Sequence, residues 1–144
     1  MRLTRHFKLS EFTRSETASR LGIDNSVRDP QVVNNLRRLC EKVLEPLRQH
    51  FNVPIVVSSG YRCARLNAAV GGVPTSNHLT GCAADLRVPS EAVARQWFSW
   101  LKANVEYDEL IMERTSRSSL PWIHVALRPT ANRRKTLFLI RSEE

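Results

Sequence analysis

Hydrophobic periodicity changes character along this chain, and that change constrains the fold more than any single motif. Asp29 followed by Pro30 is a strong helix start, because the aspartate can cap the first turn and the fixed φ of proline suits its first position. From there Val33, Leu36, Cys40, Val43, Leu44 and Leu47 recur at helical spacing, so one long helix is expected, kinked or split near its end by Pro46. Shorter helices are expected over residues 15–21, bounded by Ser15 and Gly22, and over residues 64–70, stopped by Gly71 and Gly72. Ser90 can cap a further helix carrying Val93, Trp97, Phe98 and Leu101 on one side. Ile55, Val56 and Val57 read as a strand, as do residues 83–88, 110–112, 122–127 and 136–140. Helices come early and strands cluster late, so the expected class is α+β, with a mainly antiparallel sheet and helices packed on one side of it.

A length of 144 residues fits one domain over 1–144, and no linker, repeat or low-complexity tract divides it. No apolar run is long enough to span a bilayer, and the first residues lack the apolar core of a secretory signal. The expectation is a chain made in the cytoplasm without a signal peptide, with no transmembrane segment. Three cysteines, Cys40, Cys63 and Cys82, cannot all pair, and their spacing matches no zinc ribbon. They read as mainly reduced thiols, with a Cys63 to Cys82 bridge as the alternative. Cys40 belongs to the apolar face of the long helix.

The stretch Ser76-Asn77-His78-Leu79-Thr80-Gly81-Cys82-Ala83-Ala84-Asp85, with Trp122-Ile123-His124-Val125 downstream, carries the chemistry. A lone histidine in a strand is more often packed or solvated than a ligand. Two imidazoles and one carboxylate, however, make a suitable zinc set that leaves a fourth position open, as a catalytic rather than structural metal requires. His78, Asp85 and His124 are therefore the candidate Zn2+ ligands, with Cys82 a minor alternative that an extended strand would turn to the opposite face. His6 and His50 have no partners at ligand spacing and read as surface residues.

Residues 76–85 fit every fixed position of S-x-H-x-x-G-x-A-x-D. Together with Ser59-Gly60-Tyr61-Arg62 before it, Trp122 to Val125 after it, the Ser10-Glu11-Phe12 opening and Leu66-Asn67-Ala69-Val70-Gly71-Gly72, the chain resembles the M15 zinc D,D- and L,D-peptidases, the superfamily that includes the hedgehog signalling domain. The resemblance implies a hedgehog/DD-peptidase-like fold, zinc, and hydrolysis of peptide bonds in peptidoglycan. It also implies a role for Arg62 in holding a substrate carbonyl or carboxylate, for which a guanidinium fork is suited. Ser76 reads as a supporting hydroxyl near the site or as a loop cap.

Metal-activated water still needs a general base. Many relatives carry an acid or histidine three residues before the last zinc histidine, and here that position is Pro121. Upstream, alternation places Glu109, Ile111 and Glu113 on one strand face and Asp108, Leu110 and Met112 on the other. Glu113 is the expected base, with Asp108 second. The competing reading of Glu113 is a solvated charge or a partner for Arg114.

The formal charge is +8, and Arg128, Arg133, Arg134, Lys135 and Arg141 crowd the last stretch. A solvated basic face is the default reading. No helix-turn-helix, zinc-finger or aromatic RNA-binding motif accompanies the charge, so no nucleic-acid partner is expected, whereas an anionic envelope surface is a suitable one. Two function classes fit. One is a monomeric zinc peptidase acting in the periplasm or cell wall, either an endopeptidase, as in phage or prophage lysis proteins, or a carboxypeptidase. The other is a catalytically silent zinc-binding domain that recognises an envelope or protein partner.

Overall fold

A computed structural model describes residues 1–141. The chain opens with a small hairpin, β1 (Arg2–Thr4) and β2 (Phe7–Lys8), followed by a single turn of helix, α1 (Ser10–Thr13). The Ser15 side chain then accepts the Ala18 N–H to start α2 (Glu16–Leu21), and Gly22 ends it at a left-handed φ of 67°.

The long helix begins as its sequence dictates. Asp29 accepts the Gln31 N–H at the start of α3 (Pro30–Leu39), and the path continues through a π-helical turn, Cys40–Leu44, into α4 (Glu45–Phe51). Pro46 explains the interruption. It has no N–H, and its ring would crowd the carbonyl four residues earlier, so the preceding turn widens and Glu45 N–H reaches back to the Cys40 carbonyl. Leu36, Leu39, Cys40, Val43, Leu44 and Leu47 on the inner face are all fully buried.

The remaining elements are β3 (Val56–Ser59), α5 (Ala64–Ala69), a 3-10 turn Asn77–Thr80, β4 (Ala83–Arg87), α6 (Glu91–Asn104), β5 (Glu109–Thr115), β6 (Trp122–Ala126) and β7 (Lys135–Arg141). The strands form one sheet in the order β3-β4-β6-β5-β7. The first three pairings are antiparallel and β7 runs parallel to β5, so the mainly antiparallel expectation holds with the last strand as its exception. The loop between β6 and β7 causes the exception by carrying the chain back to the start of β5, where Arg134 and Lys135 donate their N–H groups to the Tyr107 and Asp108 carbonyls.

Side-chain alternation divides the sheet into two chemistries. Val57, Ala84, Leu86, Leu110, Met112, Ile123 and Val125 turn inward and share one core with the inner faces of α3, α4 and α6. Asp85, His124, Glu109, Ile111 and Glu113 occupy the opposite face, where the site is built. No helix among the described residues is long and apolar enough to cross a membrane.

Candidate metal centre

In the sheet register, Asp85 of β4 lies opposite His124 of β6, and His124 lies opposite Ile111 of β5. One cross-strand row thus brings together two polar side chains 39 residues apart in the chain. His78 joins them from the 3-10 turn above, which Ser76 caps by accepting the His78 N–H at 3.2 Å. Ser76 is therefore the loop cap of the turn that carries His78. Gly81 closes the turn at a φ of 75° and presses on α3, and a Cβ there would meet Val32 at 2.8 Å.

His78 Nε2 lies 3.3 Å and His124 Nδ1 lies 3.0 Å from the same Asp85 oxygen, Oδ1. One donor atom from each of the three side chains falls within 4.8 Å of the others, and all three residues are buried. The second nitrogen of each ring is already engaged. His78 Nδ1–H donates to the Gly60 carbonyl at 2.6 Å, which leaves Nε2 as its lone-pair donor toward the cluster. On the far side of His124, Nε2–H donates to Glu109 Oε1 at 3.0 Å. With the outer nitrogen of each ring held by an outside partner, the neutral form of each ring would turn its remaining lone pair toward Asp85, an arrangement that fits a divalent cation of tetrahedral habit. Gly60 has its own constraint, since a Cβ there would meet the Phe12 backbone at 2.7 Å.

Burial alone would raise the Asp85 carboxyl, but the His78 and His124 imidazoles outweigh it and hold the group well below the usual carboxylate range. Burial likewise opposes charge on His124, yet its bonds to Asp85 and Glu109 raise it to about 10. Without metal, His124 is an imidazolium bridging two carboxylates at neutral pH. A cation needs the neutral ring, so binding at pH 7 expels that proton and affinity rises with pH until the ring titrates. Calorimetric titration with zinc, in buffers of different ionisation enthalpy, is expected to show about one proton released per ion from this ring. Buffer-independent heats would contradict it.

The two acids on this face of β5 have different surroundings. Glu109 is held down at about 2, chiefly by its bond to His124, and it also accepts from Asn77 at 2.8 Å and pairs with Arg133 at 3.4 Å. Its bond fixes the His124 ring, the arrangement a carboxylate takes beside a candidate ligand histidine. Sequence reasoning placed Glu109 on the correct face and gave it no role, because its contact with His124 follows from the β5–β6 register. Glu109→Gln is expected to weaken zinc affinity about 10- to 100-fold, as loss of such partners does elsewhere, measured by competition with a chelator.

Glu113 has no such commitment to a ligand. Only 6% exposed, it accepts the Trp122 indole N–H at 2.6 Å. Its carboxyl is pushed upward, first by burial and then by the charge of Asp85. The partner considered for it from the sequence, Arg114, instead binds Glu91 at 2.7 Å.

Asp108 lies elsewhere. Its fully buried carboxylate takes Arg133 Nε at 3.0 Å and Nη2 at 2.8 Å, Arg128 Nε at 3.2 Å and Asn77 Nδ2 at 2.9 Å. The Arg133 bond leads the interactions that overcome burial and hold its carboxyl low. Asp108 thus anchors the returning loop to the turn that bears His78 and stands apart from the cluster. Arg134 stacks over Tyr107 at 4.5 Å and Arg133 pairs with Asp108, yet Arg133, Arg134, Lys135 and Arg141 all stay exposed, so the basic stretch forms a solvated face, as its composition suggests, while two of its arginines also brace the fold.

Arg62 reaches the site from the loop after β3, with Nη2 3.7 Å from Asp85 Oδ2 and its backbone N–H on the His78 carbonyl at 3.0 Å. Asn67 accepts from Arg62 Nη1 at 3.3 Å and is itself pinned to the Val73 carbonyl. Gly72 leaves room for this, as a Cβ there would overlap the Asn67 side chain. A cleft of about 500 Å3 adjoins the site at Arg62, with Arg14, Tyr61, Val70 and Arg87 in its wall.

All three cysteines are free, so no Cys63 to Cys82 bridge forms. Cys82 is buried with its thiol pushed up by that burial, and it lies outside the three-residue cluster. His6 pairs with Glu45 at 2.6 Å and His50 stacks on Trp100, so both exposed histidines are engaged away from the site.

Comparison with curated proteins yields no match. A family model described as Peptidase M15 matches residues 5–126, from the N-terminal hairpin to the end of β6, and with that span, which contains His78, Asp85, His124 and Glu113, the chain belongs to the Peptidase M15 family.

Proposed function

We propose that this chain is a zinc-dependent peptidase that hydrolyses peptide bonds in the stem peptides or cross-links of peptidoglycan, as an endopeptidase or a D,D-carboxypeptidase acting in the periplasm or cell wall. The observation that carries the proposal is the convergence of His78, Asp85 and His124 on one buried point, with Glu113 on the same sheet face, in a chain of a peptidase family. Two imidazole nitrogens and one carboxylate oxygen suit zinc, whose Lewis acidity when bound makes hydroxide available near neutral pH and polarises a carbonyl.

Each nearby residue then has one task. Glu113 takes the proton from the attacking water and passes it to the departing amine, and its raised carboxyl favours accepting that proton. Arg62, with part of its donor fork unspent, holds the carbonyl oxygen as negative charge develops or a nearby carboxylate of the substrate. Glu109 fixes the His124 ring, and the cleft beside Arg62 accommodates the peptide beyond the scissile bond. Pro121 leaves the position three before His124 without an acid, and Glu113 supplies the carboxylate from the neighbouring strand, which argues against a silent domain. The net positive charge favours approach to anionic envelope polymers.

Peptidoglycan fragments incubated with the protein, with and without chelator, provide the test. Mass analysis is expected to show one class of peptide bond cut only when zinc is present. Intact fragments alongside stoichiometric zinc would sink the proposal.

A further inference from the structure

Strand β7 lies beyond the family-matched segment, which ends at Ala126, yet it delivers a charged side chain to the site face. Its parallel register with β5 sets Leu139 opposite Glu113 and Arg141 opposite Thr115. Alternation therefore puts Arg141 on the same face as Glu113, one residue pair further along. Arg141 Nη1 stands 3.9 Å from Glu113 Oε1, too far for a hydrogen bond, and the side chain is 43% exposed. Its guanidinium thus keeps its donors while facing the carboxylate proposed as the base. Across the site, Arg62 sits 3.7 Å from Asp85, and among the described residues the Arg62 side chain makes one hydrogen bond, to Asn67. Asp85 pairs with His124 and His124 with Ile111, two residues before Glu113, so the two guanidinium groups flank one stretch of the same sheet face.

Two underused guanidinium forks beside Asp85 and Glu113 favour an anion between them, and the planar fork matches a carboxylate. We infer that Arg141 is a specificity-determining residue that binds a carboxylate of the substrate next to the scissile bond, a contact supplied by β7 rather than by the matched part of the fold. The inference rests on the peptidase reading for its substrate. A peptide can offer that carboxylate from its C-terminus or from an acidic side chain, and the shared requirement is a negative group within reach of both arginines.

The test compares the unaltered zinc-loaded protein with Arg141→Gln and Arg141→Lys, using stem peptides prepared as free acid, as C-terminal amide and as side-chain amide. Both binding by calorimetry and steady-state cleavage are measured. The unaltered protein is expected to prefer the free acid by about tenfold or more in Kd and KM, the size of a charge-assisted contact, and Arg141→Gln to bring that preference close to one. Arg141→Lys retains part of it, because charge survives and the fork does not. Whichever amide abolishes the preference identifies the source of the carboxylate. Equal acid and amide affinities in the unaltered protein, a preference that Arg141→Gln leaves intact, or a loss of kcat equal for acid and amide with Kd unchanged would each overturn the inference. The binding measurements decide the matter without cleavage. A peptide that binds with the expected preference but is never cut defeats the peptidase reading and leaves the role of Arg141 standing.

Discussion

Glu113→Gln is expected to lower kcat about a hundred- to ten-thousand-fold, the range that positioned general bases contribute, while the protein keeps one zinc per chain. Glutamine preserves the shape of the side chain and can still accept the Trp122 indole N–H, so the packing around this 6% exposed position survives. What disappears is the ability to take a proton. The choice between the two acids of this face rests on their electrostatics. Glu109 is pulled down to about 2 and already spent on His124, Asn77 and Arg133, whereas burial and Asp85 push Glu113 upward, toward the range where accepting a proton is favourable. Single-turnover kinetics with a defined stem peptide, paired with zinc analysis of the same sample, separates the roles. A Glu113→Gln protein that cuts at the unaltered rate would remove this residue from the mechanism.

His124→Ala is expected to act on the metal itself. Apparent binding free energies of about 10–16 kcal/mol for sites with a full set of protein ligands imply roughly 3–4 kcal/mol per ligand, or about a hundred- to a thousandfold in affinity when one is lost. The loss also leaves Asp85, buried at 8% exposure, without one of its two imidazole partners, and Glu109 without the His124 N–H. Chelator competition should therefore show a larger defect than Glu109→Gln, which keeps all three donor atoms. Equal defects in the two variants would mean that His124 does not ligate.

Much of the fold can be read from local chemistry. Ser15, Asp29 and Ser90 each cap the helix that their position predicts, and Pro46 splits the long helix through interactions within one turn of itself. His78, Asp85 and His124 are visible because a loop turn and two strands fix them at recognisable spacings. What the sequence does not reveal depends on pairing between distant segments. The β5–β6 register decides that Glu109 touches His124, and the returning loop decides that Asp108 is consumed by Arg133, 25 residues away. Parallel addition of β7, which turns Arg141 from one charge in a basic tail into a neighbour of Glu113, has no local signature. The β1–β2 hairpin is likewise too short to show a period.

In the proposed reaction, peptide cleavage depends on a metal held at the cluster of His78, Asp85 and His124. Metal-free protein titrated with zinc while cleavage of a peptidoglycan stem peptide is followed tests it most directly. The expected result is a rate that rises linearly with added zinc, levels off at one equivalent per chain, and stays at background in His124→Ala over the same range. Cleavage at full rate by the metal-free protein, or an unchanged titration in His124→Ala, would contradict it.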